Sequence, residues 1–215
     1  ASAYDWNCVF PNFRGPNRNP AACGSPAALA DICDAVNWAS AHLPVDHRRV
    51  FIAGESGGGH MTLLAAGAMP SLWTAASAWV PISDLARWHR ECTERKLPYT
   101  TDMEASCGGA PGTSETVDRE YHSRSPISSL WRAHIIPMDI NAGIHDGHGG
   151  SFGGQGSVPV GQSVRAYNEL VRASGKDLEA VSEDLIEHFE TKELVPSWCD
   201  PGATTDPDYD RPVLF

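Results

Sequence analysis

The sequence predicts an α/β fold in three layers, a mostly parallel sheet flanked by helices. Three observations lead there. Short apolar runs suited to buried strands (Val50–Ala53, Ala75–Pro81, Ile135–Ala142) alternate with longer stretches of helical periodicity, the pattern of βαβ units. The string Gly54-Glu55-Ser56-Gly57-Gly58-Gly59-His60 stands directly behind the first of these runs, where a strand has to turn into a helix. The chain has 215 residues, about one domain, and can bury roughly 70% of its unfolded surface.

The elements follow in order. Trp6–Phe10 reads as a short buried strand that runs into turn chemistry at Pro11–Pro16. Ser25-Pro26 is a helix start, with Ser as N-cap and Pro at the first helical position. Leu29, Ile32, Val36 and Leu43 then share one face, and Pro44 stops the helix. The strand Val50–Ala53 precedes the glycine turn and an apolar helix through Met61, Leu63, Leu64 and Ala65. Ala75–Pro81 suits the next strand. Residues 86–130 are more polar, with turn clusters such as Cys107–Gly112, and read as an insertion or cap-like region within a single domain spanning 1–215. Ile135–Ala142 is a further strand, followed by a glycine-rich loop at 147–157. An amphipathic helix carrying Val164, Tyr167 and Val171 closes at Gly175; 179–194 is helical and acidic, and 196–212, rich in Pro and Asp, is irregular.

Composition narrows the function classes. Hydrophobic residues make up 41% and charged residues 20%, an ordinary globular balance, and no apolar run approaches the roughly 20 residues a bilayer span needs. Sixteen basic against 27 acidic residues give a net charge of −11, which argues against nucleic acid or an anionic membrane as partner. No signal peptide is visible, and the chain opens on Ala rather than Met, as a mature form or an internal piece would. The six cysteines show no C-x-x-C spacing. Their even number suits a secreted or periplasmic protein with disulfides, and equally a reducing compartment with buried thiols. Compartment and oligomeric state stay open.

The chemistry concentrates at residues 54–60. A G-x-S-x-G string between a strand and a helix holds the serine on a sharp turn, with Oγ tipped out of the sheet and small neighbours on either side. Ser56 is the candidate nucleophile. The N–H of Gly57, at a helix N-terminus, is aimed at a developing oxyanion.

The string "VFIAGESGGGHMTLLAAG" resembles the nucleophile elbow of α/β-hydrolases, and more narrowly that of the prolyl oligopeptidase (S9) family and its esterase relatives. "VFPNFRGPN" (9–17) resembles the strand and R-G turn before the elbow; "SRSPISSLWRAHIIPMDINAGIHDGH" (123–148) resembles the segment that delivers the acid; "VPVGQSVRAYNELVRASG" (158–175) resembles the V-P-x-x-Q-S helix. The resemblance implies an α/β-hydrolase domain that is incomplete at both ends. It also places the triad acid at Asp146, in Gly143-Ile144-His145-Asp146, where it would orient a catalytic imidazole. Asp139, inside the strand, is the weaker choice. The base is expected beyond Phe215, since His148 is too close to the acid and His188 sits in a helical stretch. His60 reads as a helix residue facing a neighbour.

The implied activity is acyl transfer on a small peptide or ester substrate, with no cofactor and no metal. The alternatives are a carboxylesterase such as a sugar-acetyl esterase, or a non-catalytic α/β-hydrolase-like binding protein. A metal pair at His145 and His148 would be a third class, but no further ligand is signalled. The loop "GHGGSFGGQGS" lacks the G-K-[S/T] of a phosphate cradle. The seven tryptophans read as core or cleft walls.

Overall fold

The computed structural model describes residues 6–144, 157–192 and 213–214. Strands β1 (Phe51–Glu55), β2 (Ala75–Trp79) and β3 (Met138–Ala142) run parallel in that order. A two-residue strand, β4 (Val213–Leu214), pairs antiparallel with the C-terminal end of β3. Helix α1 (Pro26–His42) precedes β1 and α2 (Gly57–Ala68) joins β1 to β2. The connection from β2 to β3 carries α3 (Leu85–Glu94), α4 (Tyr99–Cys107) and α5 (Glu115–Arg124), while α6 (Val160–Ala173) and α7 (Glu183–Lys192) follow β3.

Local chemistry accounts for the helix starts. Ser25 Oγ accepts the N–H of Ala28 at 3.1 Å with Pro26 in the first turn, and Asp84 and Ser114 cap α3 and α5 in the same way. Gly175, at φ +73°, stands just past α6, where left-handed backbone ends a helix without a Cβ penalty. Nearly all of α2 is buried, and its apolar character all round fits a central helix.

The main core lies on one side of the sheet. Ile52, Ala76 and Met138 are in register, as are Gly54, Ala78 and Ile140, and both rows face the cluster built from α1, α2, α6 and a 3-10 turn at Leu130–Ile135. A second cluster (Cys23, Ile82, Leu85, Trp88, Met103, Tyr121) holds α3, α4 and α5 together. The polar stretch after residue 84 thus folds into three helices with an apolar seam of their own.

Two expectations need correcting. Residues 6–10 are exposed and form no strand. Trp6 stacks its ring on Phe51 at the start of β1, centroids 5.7 Å apart. The run from Ile135 does not start as a strand: Leu130–Ile135 coils as a 3-10 turn and β3 opens at Met138, after Pro137. Most of the glycine-rich loop, and the stretch 196–212, lie outside the described residues.

Candidate active site

Ser56 sits between the last residue of β1 and the first of α2, with φ 53° and ψ −116°. That is left-handed territory which a residue bearing a Cβ occupies only when its surroundings force it, at a cost of about 1–3 kcal/mol. The surroundings are visible. The Ser56 N–H donates to Trp79 O on β2 at 2.8 Å, and its carbonyl accepts the N–H of His60 at 2.8 Å. The helix doubles back so closely that a Cβ on Gly54 would come 2.4 Å from the carbonyl carbon and oxygen of Gly58. On Gly59 a Cβ would meet Trp79 O at 2.7 Å. The glycines at 54 and 59 are therefore packing requirements, and Ser56 is left exposed at the C-terminal end of the parallel strands. Gly57 opens α2, so its N–H has no acceptor within the helix and points to where negative charge is best placed.

His60 turns the other way. It is buried, and its Nε2–H donates to the carbonyl of Arg124 at 2.8 Å. Burial pushes its pKa down to about 4, only partly offset by that hydrogen bond. A neutral ring with its Nε2 proton committed to α5 is a brace for the elbow helix. Arg124 is itself buried, pairs with Glu120 at 2.8 Å, and donates to the carbonyls of Pro20, Ala22 and Cys23. One guanidinium thus fastens the loop before α1 to α5.

Asp146, His145 and His148 lie outside the described residues. Asp139 is exposed on β3, in register with Ser77. His188 lies on α7, its ring edge-on to Phe189 at 6.3 Å. Among the described residues no group of three His, Cys, Asp or Glu is arranged to hold a metal ion, and no helix is long and apolar enough to cross a membrane. A cleft of about 480 Å³ opens among α3, α5 and their flanks, lined by Asp84, His89, Arg90, Tyr121 and His122, with Ser56 outside it.

Three residues, Asn17, Arg124 and Gln162, carry no local sequence signal of their role. Gln162 Oε1 accepts the N–H groups of Ser83 and Asp84, at 3.0 and 2.9 Å, and its Nε2 donates to Glu91 at 2.9 Å. Glu91 is pushed upward, first by burial and against the pull of that hydrogen bond. The V-P-x-x-Q-S string contained this glutamine, but nothing local announces a partner some 80 residues upstream.

A parallel sheet with a serine forced into left-handed backbone at a strand-to-helix turn defines the α/β-hydrolase class. The prolyl oligopeptidase family profile matches residues 26–184, and the chain belongs to that family. Two solved structures share its fold. One, a puromycin-hydrolysing peptidase from Mycobacterium tuberculosis, is 23% identical with a TM-score of 0.55 over 75% of this chain. The other, a puromycin hydrolase, is 18% identical with a TM-score of 0.54 over 75% of this chain. The chain spans 21% of the length of each. No curated protein sequence matches it.

Proposed function

We propose that this protein is a serine peptidase acting by acyl transfer through Ser56. The observation that supports it most is the backbone of Ser56, at φ 53° in a residue that is not glycine, exposed at the head of a buried helix. Its Oγ would attack the substrate carbonyl while a histidine expected beyond Phe215 takes the proton. Asp146 would hold that imidazole in the useful tautomer, and the Gly57 N–H would take charge from the tetrahedral oxygen. Ester and peptide substrates pass through the same intermediate. Membership of the prolyl oligopeptidase family and the likeness to puromycin-hydrolysing proteins favour peptides and puromycin as first substrates.

The test is labelling of the full-length protein with a fluorophosphonate, read by peptide mass, beside Ser56→Ala. Stoichiometric labelling at Ser56, lost in the variant, is the expected result. A folded protein that stays unlabelled removes the acyl-transfer reading and leaves the non-catalytic one.

A further inference from the structure

Asn17 belongs to the loop before α1 and is half-buried. Its side chain is held at one end: Oδ1 accepts the N–H of Cys23 at 3.0 Å. Its backbone carbonyl takes the Ser106 hydroxyl of α4 at 3.1 Å. A backbone N–H pairs only with the oxygen of a carboxamide, so this bond fixes which end of the amide is which and turns Nδ2 the other way. It turns toward the elbow. Nδ2 lies 3.1 Å from the point that a Cβ on Gly57 would occupy, and it makes no hydrogen bond among the described residues.

We propose that the Asn17 amide is a further oxyanion donor, facing the same substrate oxygen as the Gly57 N–H. The inference rests on the serine-hydrolase reading of Ser56. The Gly57 nitrogen is one C–C and one N–Cα bond from that Cβ point, so it stands within about 6 Å of Nδ2. An oxyanion about 2.7–3.1 Å from each of two donors bridges a separation of up to about 6 Å. The separation of the two donors is compatible with one tetrahedral oxygen meeting both. A Cβ at position 57 would press on Nδ2 at 3.1 Å, so the glycine leaves the amide room beside the elbow. Donors fixed before the reaction, as Asn17 is by Cys23, need no reorganisation when charge develops.

The experiment uses the full-length protein with Asn17→Ala and Asn17→Asp, an aminoacyl p-nitroanilide as substrate and a peptidyl boronic acid as tetrahedral mimic. Asn17→Ala is expected to lower kcat about 100-fold with little change in KM, and to weaken boronate inhibition by a similar factor. Asn17→Asp keeps the acceptor for Cys23 and hence the loop, but sets a carboxylate against the oxyanion, so its kcat falls further while its melting midpoint stays near wild type. Variants with kcat/KM and inhibition constants close to wild type overturn the role of Asn17, as does a loss confined to KM. In both cases the wild type still reacts with fluorophosphonate at Ser56. A wild type that does not react overturns the serine-hydrolase reading, and this inference with it.

Discussion

On one face of the β1–β2–β3 sheet, Gly54, Ala76, Ala78 and Ile140 stand against α2 and its neighbours; on the other, Phe51, Glu55, Trp79 and Asp139 reach solvent. Parallel sheets are ordinarily covered on both sides and read as continuous apolar runs. Here β1 is alternately exposed and half-buried, and Phe51 and Trp79 remain 48% and 50% exposed. The elbow takes its rigidity from the covered side. The close approach of α2 to β1, and of its first turn to β2, happens entirely on the covered side, and that approach twists Ser56 into its left-handed conformation. The open face contributes Trp6 stacked on Phe51 and little else among the described residues.

Substitutions on the two faces test this division. The largest effect is expected from Gly54→Ala, because its methyl group would lie 2.4 Å from backbone atoms of Gly58 that cannot move without the whole helix. A loss of about 4 kcal/mol or more in chemical denaturation is the expected outcome. A loss under 1 kcal/mol would mean that the elbow is not the tight contact described. Leu63→Ala, at a fully buried position on α2, should cost about 3 kcal/mol by the same measurement.

His60 gives a pH-dependent version of the comparison. Its pKa is about 4 in the folded protein against 6.5 ordinarily, so below pH 6.5 the unfolded chain binds a proton that the folded chain refuses. Its contribution is therefore fully present above pH 6.5 and is lost as pH falls toward 4, by up to about 3 kcal/mol. His60→Gln can still donate to the Arg124 carbonyl but cannot titrate. Its stability should fall less than that of wild type between pH 7 and pH 4.5, and parallel curves for the two proteins would contradict the burial argument.

The smallest effect belongs to the open face. Phe51→Ser, which removes a half-covered ring stacked on Trp6, should cost about 1 kcal/mol. A loss near that of Leu63→Ala would show that this face is covered in solution.

Much of the scaffold was legible because its signals are local. Ser25-Pro26 marks the start of α1 by capping and ring geometry, Gly175 lies just past the end of α6, and the apolar run before Gly54 forms β1. Trp6–Phe10 is apolar enough for a strand, but among the described residues it joins no sheet and lies exposed. The turn clusters between α3, α4 and α5 mask their periodicity, although Asp84 and Ser114 cap α3 and α5. At the candidate site, the G-x-S-x-G spacing pointed to Ser56 and Gly57 directly. Asn17 carried no signal, since one asparagine in a turn-rich loop looks like any other.

Local sequence signals placed α1, β1, α2, β2, β3 and α6 in succession, with the serine turn between β1 and α2. All of these follow from periodicity, capping and glycine spacing within a few residues. Packing makes Gly54 necessary because Gly58 crosses it, sets His60 against the Arg124 carbonyl, and brings an amide about 40 residues before the elbow beside Gly57. These are contacts between segments far apart in the chain, and they are set by how α2 packs between the sheet and the loop before α1.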